Sequence, residues 1–62
     1  MKHIAVEDLY PAELESLEFD HQILGYTEEE KQFVYNNLFR DENGVAYHRD
    51  VGNNKLIAIY ID

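Results

Sequence analysis

The absence of cysteine from a chain of only 62 residues is the feature that most restricts its fold. A chain this short buries only about 60% of the surface that its unfolded form exposes. Small domains usually compensate with disulfides, a metal or a partner chain, and the sequence excludes disulfides and thiolate metal ligands. Because hydrophobic residues make up 45% of the chain, we expect one folded domain over residues 1–62 and not a disordered segment.

A first helix is predicted from the residues that follow the only proline. Pro11 suits the first turn of a helix, where its missing N–H costs nothing. Leu14 and Leu17 follow at helical spacing, which predicts a helix over residues 11–18. The helical pattern breaks after residue 18, and the sequence does not decide whether residues 19–26 form a strand or a helix.

A second helix is predicted to begin at Thr27. Thr27 and Glu30 have the spacing of a capping box, in which the hydroxyl accepts from the N3 amide and the carboxylate accepts from the Thr27 amide. Helical spacing then predicts an apolar stripe of Val34, Tyr35, Leu38 and Phe39. Arg40 is expected near the C-terminal end of this helix, and Asn43-Gly44 is expected to stop it.

The remaining segments predict a small antiparallel sheet. We expect three strands, at residues 2–6, 45–50 and 55–61, although residues 2–6 could also start a helix. The turn between the last two is either Gly52-Asn53 or Asn53-Asn54. In both cases His48 lies opposite an isoleucine, either Ile57 or Ile59. With two or three short helices beside this sheet, the predicted fold class is α+β.

Negative charge is confined to the first half of the chain. Residues 1–30 hold nine acids and one base and sum to −8, whereas residues 31–62 hold four of each and sum to zero. One interpretation is that the charge serves solubility only. The other is that the carboxylates imitate the phosphates of a nucleic acid and bind a Lys/Arg groove. Direct binding to nucleic acid or to an anionic membrane would need the opposite sign of charge.

No motif in the sequence predicts catalysis, a cofactor or a metal. His3, His21 and His48 fall on three different predicted elements and show no metal-ligand spacing. Ser16 lies in a predicted acidic helix and Thr27 serves as a cap, so neither is expected to act as a nucleophile. We therefore expect a protein that is not an enzyme. The chain has no run long enough for a membrane span or a signal peptide, so a cytosolic protein is expected.

The size, the missing cysteines, the acidic helical segments and the small sheet resemble a class of small acidic proteins from phages and other mobile elements. These proteins, which include anti-CRISPR and antirestriction DNA mimics, block host nucleic-acid enzymes. The resemblance covers the whole chain but rests on no motif. It implies a non-catalytic inhibitor that binds a basic nucleic-acid-binding site of a host protein, such as the DNA-recognising subunit of a CRISPR effector, and excludes DNA.

The expected partner-binding residues combine acids of the first half with two aromatic residues. They are Glu7, Asp8, Glu13, Glu15, Glu18, Asp20, Glu28, Glu29, Phe33 and Tyr47. The alternative function is a protein–protein interaction or homodimerisation module that uses the apolar sheet face, or the flank of the second helix at Phe33, with charge serving solubility. A monomer and a homodimer are both compatible with the sequence.

Overall fold

A computed structural model describes residues 1–60 of the chain. Four strands form one sheet in the order β1-β2-β3-β4, and every neighbouring pair is antiparallel. The strands are β1 (Lys2–His3), β2 (Leu38–Arg40), β3 (Ala46–Arg49) and β4 (Leu56–Ala58). The predicted α+β class with a small antiparallel sheet is confirmed, and the sheet has one strand more than expected.

Short helical segments occupy most of the chain between β1 and β2. They are a 3-10 turn at Val6–Asp8, α1 at Pro11–Glu15, a π-turn at Ser16–Asp20, a second 3-10 turn at Ile23–Gly25 and α2 at Glu28–Asn36. The π-turn continues α1 and closes with a 3.2 Å hydrogen bond from the His21 amide to the Ser16 carbonyl. Residues 19–26, for which the sequence did not decide between strand and helix, therefore contain helical turns and no strand.

The start of α2 was predicted correctly and its end was not. The Thr27 hydroxyl accepts from the Glu30 amide at 3.2 Å, and the Thr27 amide donates to the Glu30 carboxylate at 2.8 Å. The helix stops at Asn36, where Asn37 leaves the helical conformation and its side-chain amide donates to the Phe33 carbonyl at 2.8 Å.

The residues expected at the end of that helix form strand β2 instead. Leu38–Arg40 pairs with β1 on one side and with β3 on the other, so its backbone groups are satisfied by two neighbouring strands. Asn43-Gly44 belongs to the β2–β3 turn and does not cap a helix. The Asp41 carboxylate accepts from the amides of Asn43 and Val45, both at 2.9 Å, and Gly44 has a φ of +86°.

The other strands are shorter than predicted. The segment predicted as strand 2–6 forms a strand only at Lys2–His3, with one further bond from the Ile4 amide to the Leu38 carbonyl at 3.0 Å, before a 3-10 turn begins at Val6. The last strand, predicted over 55–61, covers Leu56–Ala58, and residue 61 lies outside the described residues. The β3–β4 register matches the Gly52-Asn53 alternative, but the turn is wider than two residues and closes through a 3.0 Å bond from the Asn54 amide to the Asp50 carbonyl.

One face of the sheet packs against the helical segments. His48 lies opposite Ile57, as one of the two predicted registers required. Ala46 and His48 are buried whereas Tyr47 and Arg49 are half-buried, which is the alternation expected of a strand with one covered face. The core consists of Leu9, Leu17, Ile23, Val34, Leu38, Ala46 and Ile59.

Candidate functional site

Glu13, one of the predicted contact residues, is buried and does not belong to the exposed acidic surface. Only 7% of the residue is exposed. Its two carboxylate oxygens accept from the Arg40 guanidinium at 2.8 and 2.9 Å, and one of them also accepts from the Tyr10 amide at 2.9 Å. Hydrogen bonds from Arg40 hold the pKa of the Glu13 carboxyl below its ordinary value, although burial opposes this effect.

Arg40 joins three parts of the fold through this contact. Besides the Glu13 carboxylate on α1, its guanidinium donates to the Gly44 carbonyl at 2.8 Å in the β2–β3 turn. The guanidinium carbon also lies 4.9 Å from the centroid of the Tyr10 ring, within the range of a cation–π interaction. Glu13 therefore has a structural role that its sequence neighbourhood does not reveal.

The other eight carboxylates of residues 1–30 all lie outside the core. Glu18 and Glu30 are half-buried, and Glu30 is engaged as the cap of α2. The exposed members are Glu7, Asp8, Glu15, Asp20, Glu28 and Glu29. Glu28 approaches Lys31 at 4.0 Å, but its side chain is 95% exposed, so this ion pair contributes little to stability.

Two of these carboxylates, which lie on different elements, act on the pKa of the same tyrosine. Burial raises the pKa of the Tyr35 hydroxyl above its ordinary value, and the charges of Glu18 and Glu28 raise it further. Glu18 lies on the π-turn and Glu28 on the first turn of α2. The π-turn and α2 therefore each carry a carboxylate whose charge acts on Tyr35. Glu7 and Asp8 lie on the separate 3-10 turn after β1.

A groove on the outer side of α1 brings two further predicted acids together. It is lined by Ala12, Glu15, Ser16, Phe19, Asp20 and Tyr60. Phe19 is 62% exposed and Tyr60 is 47% exposed, so two large aromatic rings face solvent beside the carboxylates of Glu15 and Asp20. A neighbouring depression shares Ala12 and Tyr60 and extends towards Tyr10. We call the first depression, with these six lining residues, the Phe19–Tyr60 groove.

The two aromatic residues predicted as contacts lie outside this groove. Phe33 is 36% exposed on α2. Tyr47 is half-buried in β3, and its hydroxyl donates to the Asp41 carboxylate at 3.2 Å. Sequence reasoning missed Phe19 and Tyr60. In a helix over this segment, Phe19 would lie on a different face from Leu14 and Leu17, and this was the only sequence pattern that set it apart. Tyr60 reaches the groove only through the sheet topology.

A cluster of two histidines and a serine lies behind the groove. The buried His48 ring approaches the His21 ring with Nε2 and Nδ1 3.2 Å apart, and His21 Nε2 lies 3.1 Å from the Ile59 carbonyl. The Ser16 hydroxyl contacts the same carbonyl and also the Asp20 carboxylate at 3.0 Å. Burial lowers the pKa of His48, and the charge of His21 lowers it further.

The hydrogen bonds of this cluster join the π-turn to β3 and to the residue after β4. The Ser16 hydroxyl makes its hydrogen bonds with Asp20 and Ile59 and not with either imidazole, so residues 1–60 present no serine–histidine pair at this cluster. Within the same residues, no three histidine or carboxylate side chains gather into a group that could hold a metal ion. The described helices are all too short and too polar to cross a membrane.

Comparisons with known proteins found no relative of this chain. No protein-family model, no curated protein and no solved structure matches the chain.

Proposed function

We propose that the protein is a non-catalytic inhibitor whose acidic N-terminal half occupies a basic nucleic-acid-binding site of a host protein. The observation that supports this proposal best is the placement of the carboxylates. Eight of the nine in residues 1–30 lie outside the core, and the single buried one, Glu13, is the one that Arg40 neutralises. Six of the nine, namely Glu7, Asp8, Glu15, Asp20, Glu28 and Glu29, are exposed and can face a partner.

The density of charge on the α1 side supports mimicry of a phosphate backbone over a short distance. Glu15, Glu18 and Asp20 remain free of the core over residues 15–20. At a helical rise of about 1.5 Å per residue, this is one carboxylate per roughly 3 Å, against one phosphate per about 1.7 Å of duplex. Association with a basic groove would then be steered by charge and weakened by salt.

The resemblance to small phage inhibitors supports a narrower version of the proposal. In that version the protein is an anti-CRISPR-like DNA mimic, acts in the cytosol of a host cell and binds a CRISPR effector subunit that recognises DNA. The exposed rings of Phe19 and Tyr60 beside Glu15 and Asp20 favour an interface that is partly aromatic over one based on charge alone.

Affinity capture tests the proposal. The immobilised chain is exposed to host lysate at low and high salt, and retained proteins are challenged with duplex DNA. We expect a nucleic-acid-binding protein that salt and duplex DNA both release. Capture on a Glu15→Lys/Glu18→Lys double variant should fail, whereas Glu42→Lys, a reversal of one exposed acid in the neutral half, should retain the protein. Glu13 is spared because its substitution would disturb the fold. Equal capture by both variants would contradict the proposal.

A second candidate function is an interaction or homodimerisation module. The observation that favours it is the apolar edge of the sheet, where Leu56 and Ile57 of the outer strand β4 are 38% and 37% exposed. Exposed apolar edge strands are prone to pair with other chains. Sedimentation of the purified chain tests this candidate, because an Ile57→Lys substitution should abolish any dimer. A monomer at all concentrations would remove homodimerisation.

A further inference from the structure

We infer that the Phe19–Tyr60 groove binds an arginine side chain of the basic partner. This inference rests on the proposed function, because it names the contact through which the acidic half recognises its partner. Two large rings, 62% and 47% exposed, line a depression together with the small side chain of Ala12. The exposed carboxylates of Glu15 and Asp20 line the same depression. Aromatic rings with carboxylates beside them are complementary to a flat cation.

The walls of the groove are held in place by the cluster behind it. Ser16 lies in the groove lining and donates to the carbonyl of Ile59, the residue before Tyr60. His21, which directly follows the π-turn carrying Phe19, contacts the same carbonyl at 3.1 Å. The backbone segments that carry the two rings are distant in sequence and are thus held beside one another. A preformed site loses less conformational entropy on binding.

The chain itself contains the combination of groups that such a site would use. The Arg40 guanidinium lies 4.9 Å from the centroid of the Tyr10 ring and donates two hydrogen bonds to the Glu13 carboxylate. The Phe19–Tyr60 groove offers the same chemistry, aromatic faces beside carboxylates, on the exposed surface.

The occupant of the groove has to come from another molecule. The chain has two arginines, and Arg40 is held by Glu13. Arg49 donates to Asn54 and lies 5.8 Å from the Phe39 ring centroid. Arginine fits better than lysine because its planar guanidinium stacks on rings and presents a fork of donors to a carboxylate.

A peptide titration followed by NMR tests the inference. Capped hexa-arginine and capped hexa-lysine carry the same charge and are added to the isotopically labelled chain at low salt. We expect hexa-arginine to bind roughly two- to fivefold more tightly, the range that a cation–π contact at an exposed site gives. Its largest amide shifts should fall on the groove lining.

Substitution of the rings identifies the groove as the source of this preference. Phe19→Ala and Tyr60→Ala each remove an exposed ring and leave the core untouched. Agreement between the two variants shows that the effect comes from the missing ring and not from a local disturbance at one position. Both should bind the two peptides with equal affinity. Phe33→Ala, which removes a partly exposed ring from α2, is the matched control and should keep the arginine preference.

The outcomes separate this inference from the proposed function. Equal binding of both peptides by the unsubstituted chain, or an arginine preference that survives both ring substitutions, would overturn the arginine site and leave the acidic surface intact. Failure of both peptides to bind at low salt would overturn the arginine site and the proposed function together.

Discussion

The Glu13–Arg40 contact is the ion pair on which the fold depends most. Both side chains are largely removed from water, at 9% and 19% exposure, and the geometry is bidentate. Loss of the Glu13 carboxylate leaves the largely buried Arg40 charge with only the Gly44 carbonyl and the Tyr10 ring beside it. We therefore expect Glu13→Gln to lower the free energy of unfolding by about 2–4 kcal/mol. Urea denaturation measures this, and Glu15→Gln is the exposed control, expected within about 0.5 kcal/mol of the unsubstituted chain. Equal effects of the two substitutions would show that the contact does not stabilise the fold.

The same residue predicts a dependence on acid pH. The pKa of Glu13 lies below its ordinary value of 4.5 because Arg40 donates hydrogen bonds to the carboxylate. The stabilisation is therefore complete above pH 4.5 and is lost as the pH falls through the lowered pKa. We expect the stability difference between the unsubstituted chain and Glu13→Gln to shrink as the pH is lowered from 6 to 3. A difference that stays constant over this range would contradict the assignment.

Among the helical elements, α2 shows what local sequence can predict and what it cannot. Its start is encoded by Thr27 and Glu30, which interact within one turn, and the prediction from sequence was confirmed. Its end depends on Leu38–Arg40, which forms a strand because β1 and β3 supply partners on both sides. Those partners are distant in sequence, so an apolar stripe at helical spacing gave the wrong element.

The cap of α2 carries a prediction of its own. Thr27→Ala removes the side-chain acceptor of the Glu30 amide, and we expect a loss of about 1 kcal/mol in the free energy of unfolding. Thr27→Ser keeps the hydroxyl and should recover most of this loss. Thermal denaturation followed by circular dichroism measures both variants. An alanine variant as stable as the serine variant would show that the hydroxyl does not cap the helix.

The histidine cluster links the π-turn to β3 and β4 and predicts a dependence on mildly acidic pH. The pKa of His48 lies below its ordinary value of 6.5, first because the ring is buried and second because His21 faces it, although Asp50 acts in the opposite direction. A lowered imidazole pKa stabilises the fold above pH 6.5, and this stabilisation is lost as the pH falls through the folded-state value.

Urea denaturation at pH 7.5 and 5.5 tests this linkage. We expect the unsubstituted chain to lose stability between the two values and His48→Asn to lose less. NMR titration of the imidazole protons provides the direct check, with the His48 midpoint below 6.5. A midpoint at or above 6.5 would contradict the burial of a neutral His48 ring.

Sequence analysis could predict only part of the candidate site. The rest depends on contacts between residues that are distant in sequence, as the fold does. The excess of carboxylates in residues 1–30 is a property of composition and was visible at once. The burial of Glu13 was not, because it requires Arg40 from a strand. The Phe19–Tyr60 groove was not either, because Tyr60 reaches α1 only after β4 has paired with β3.

At the scale of the whole molecule, one end of the sequence carries the charge and the fold keeps that charge on the surface. Of the five lysines and arginines, Arg40 is committed to the buried Glu13, and the Glu28–Lys31 contact is weak. A field of this kind favours binding to a basic surface and opposes binding to nucleic acid.

The most direct test of the proposed acidic binding surface asks whether the effect of a charge reversal on partner affinity depends on its position. Glu15→Lys and Glu42→Lys change the net charge equally, and both positions are exposed, but only Glu15 lies on the proposed binding surface. The measurement is the affinity of each variant for the captured basic partner at low salt. The account predicts that Glu15→Lys weakens binding at least tenfold and that Glu42→Lys weakens it less than about threefold, the effect of net charge alone at this distance. Equal weakening by the two substitutions would contradict a localised acidic binding surface.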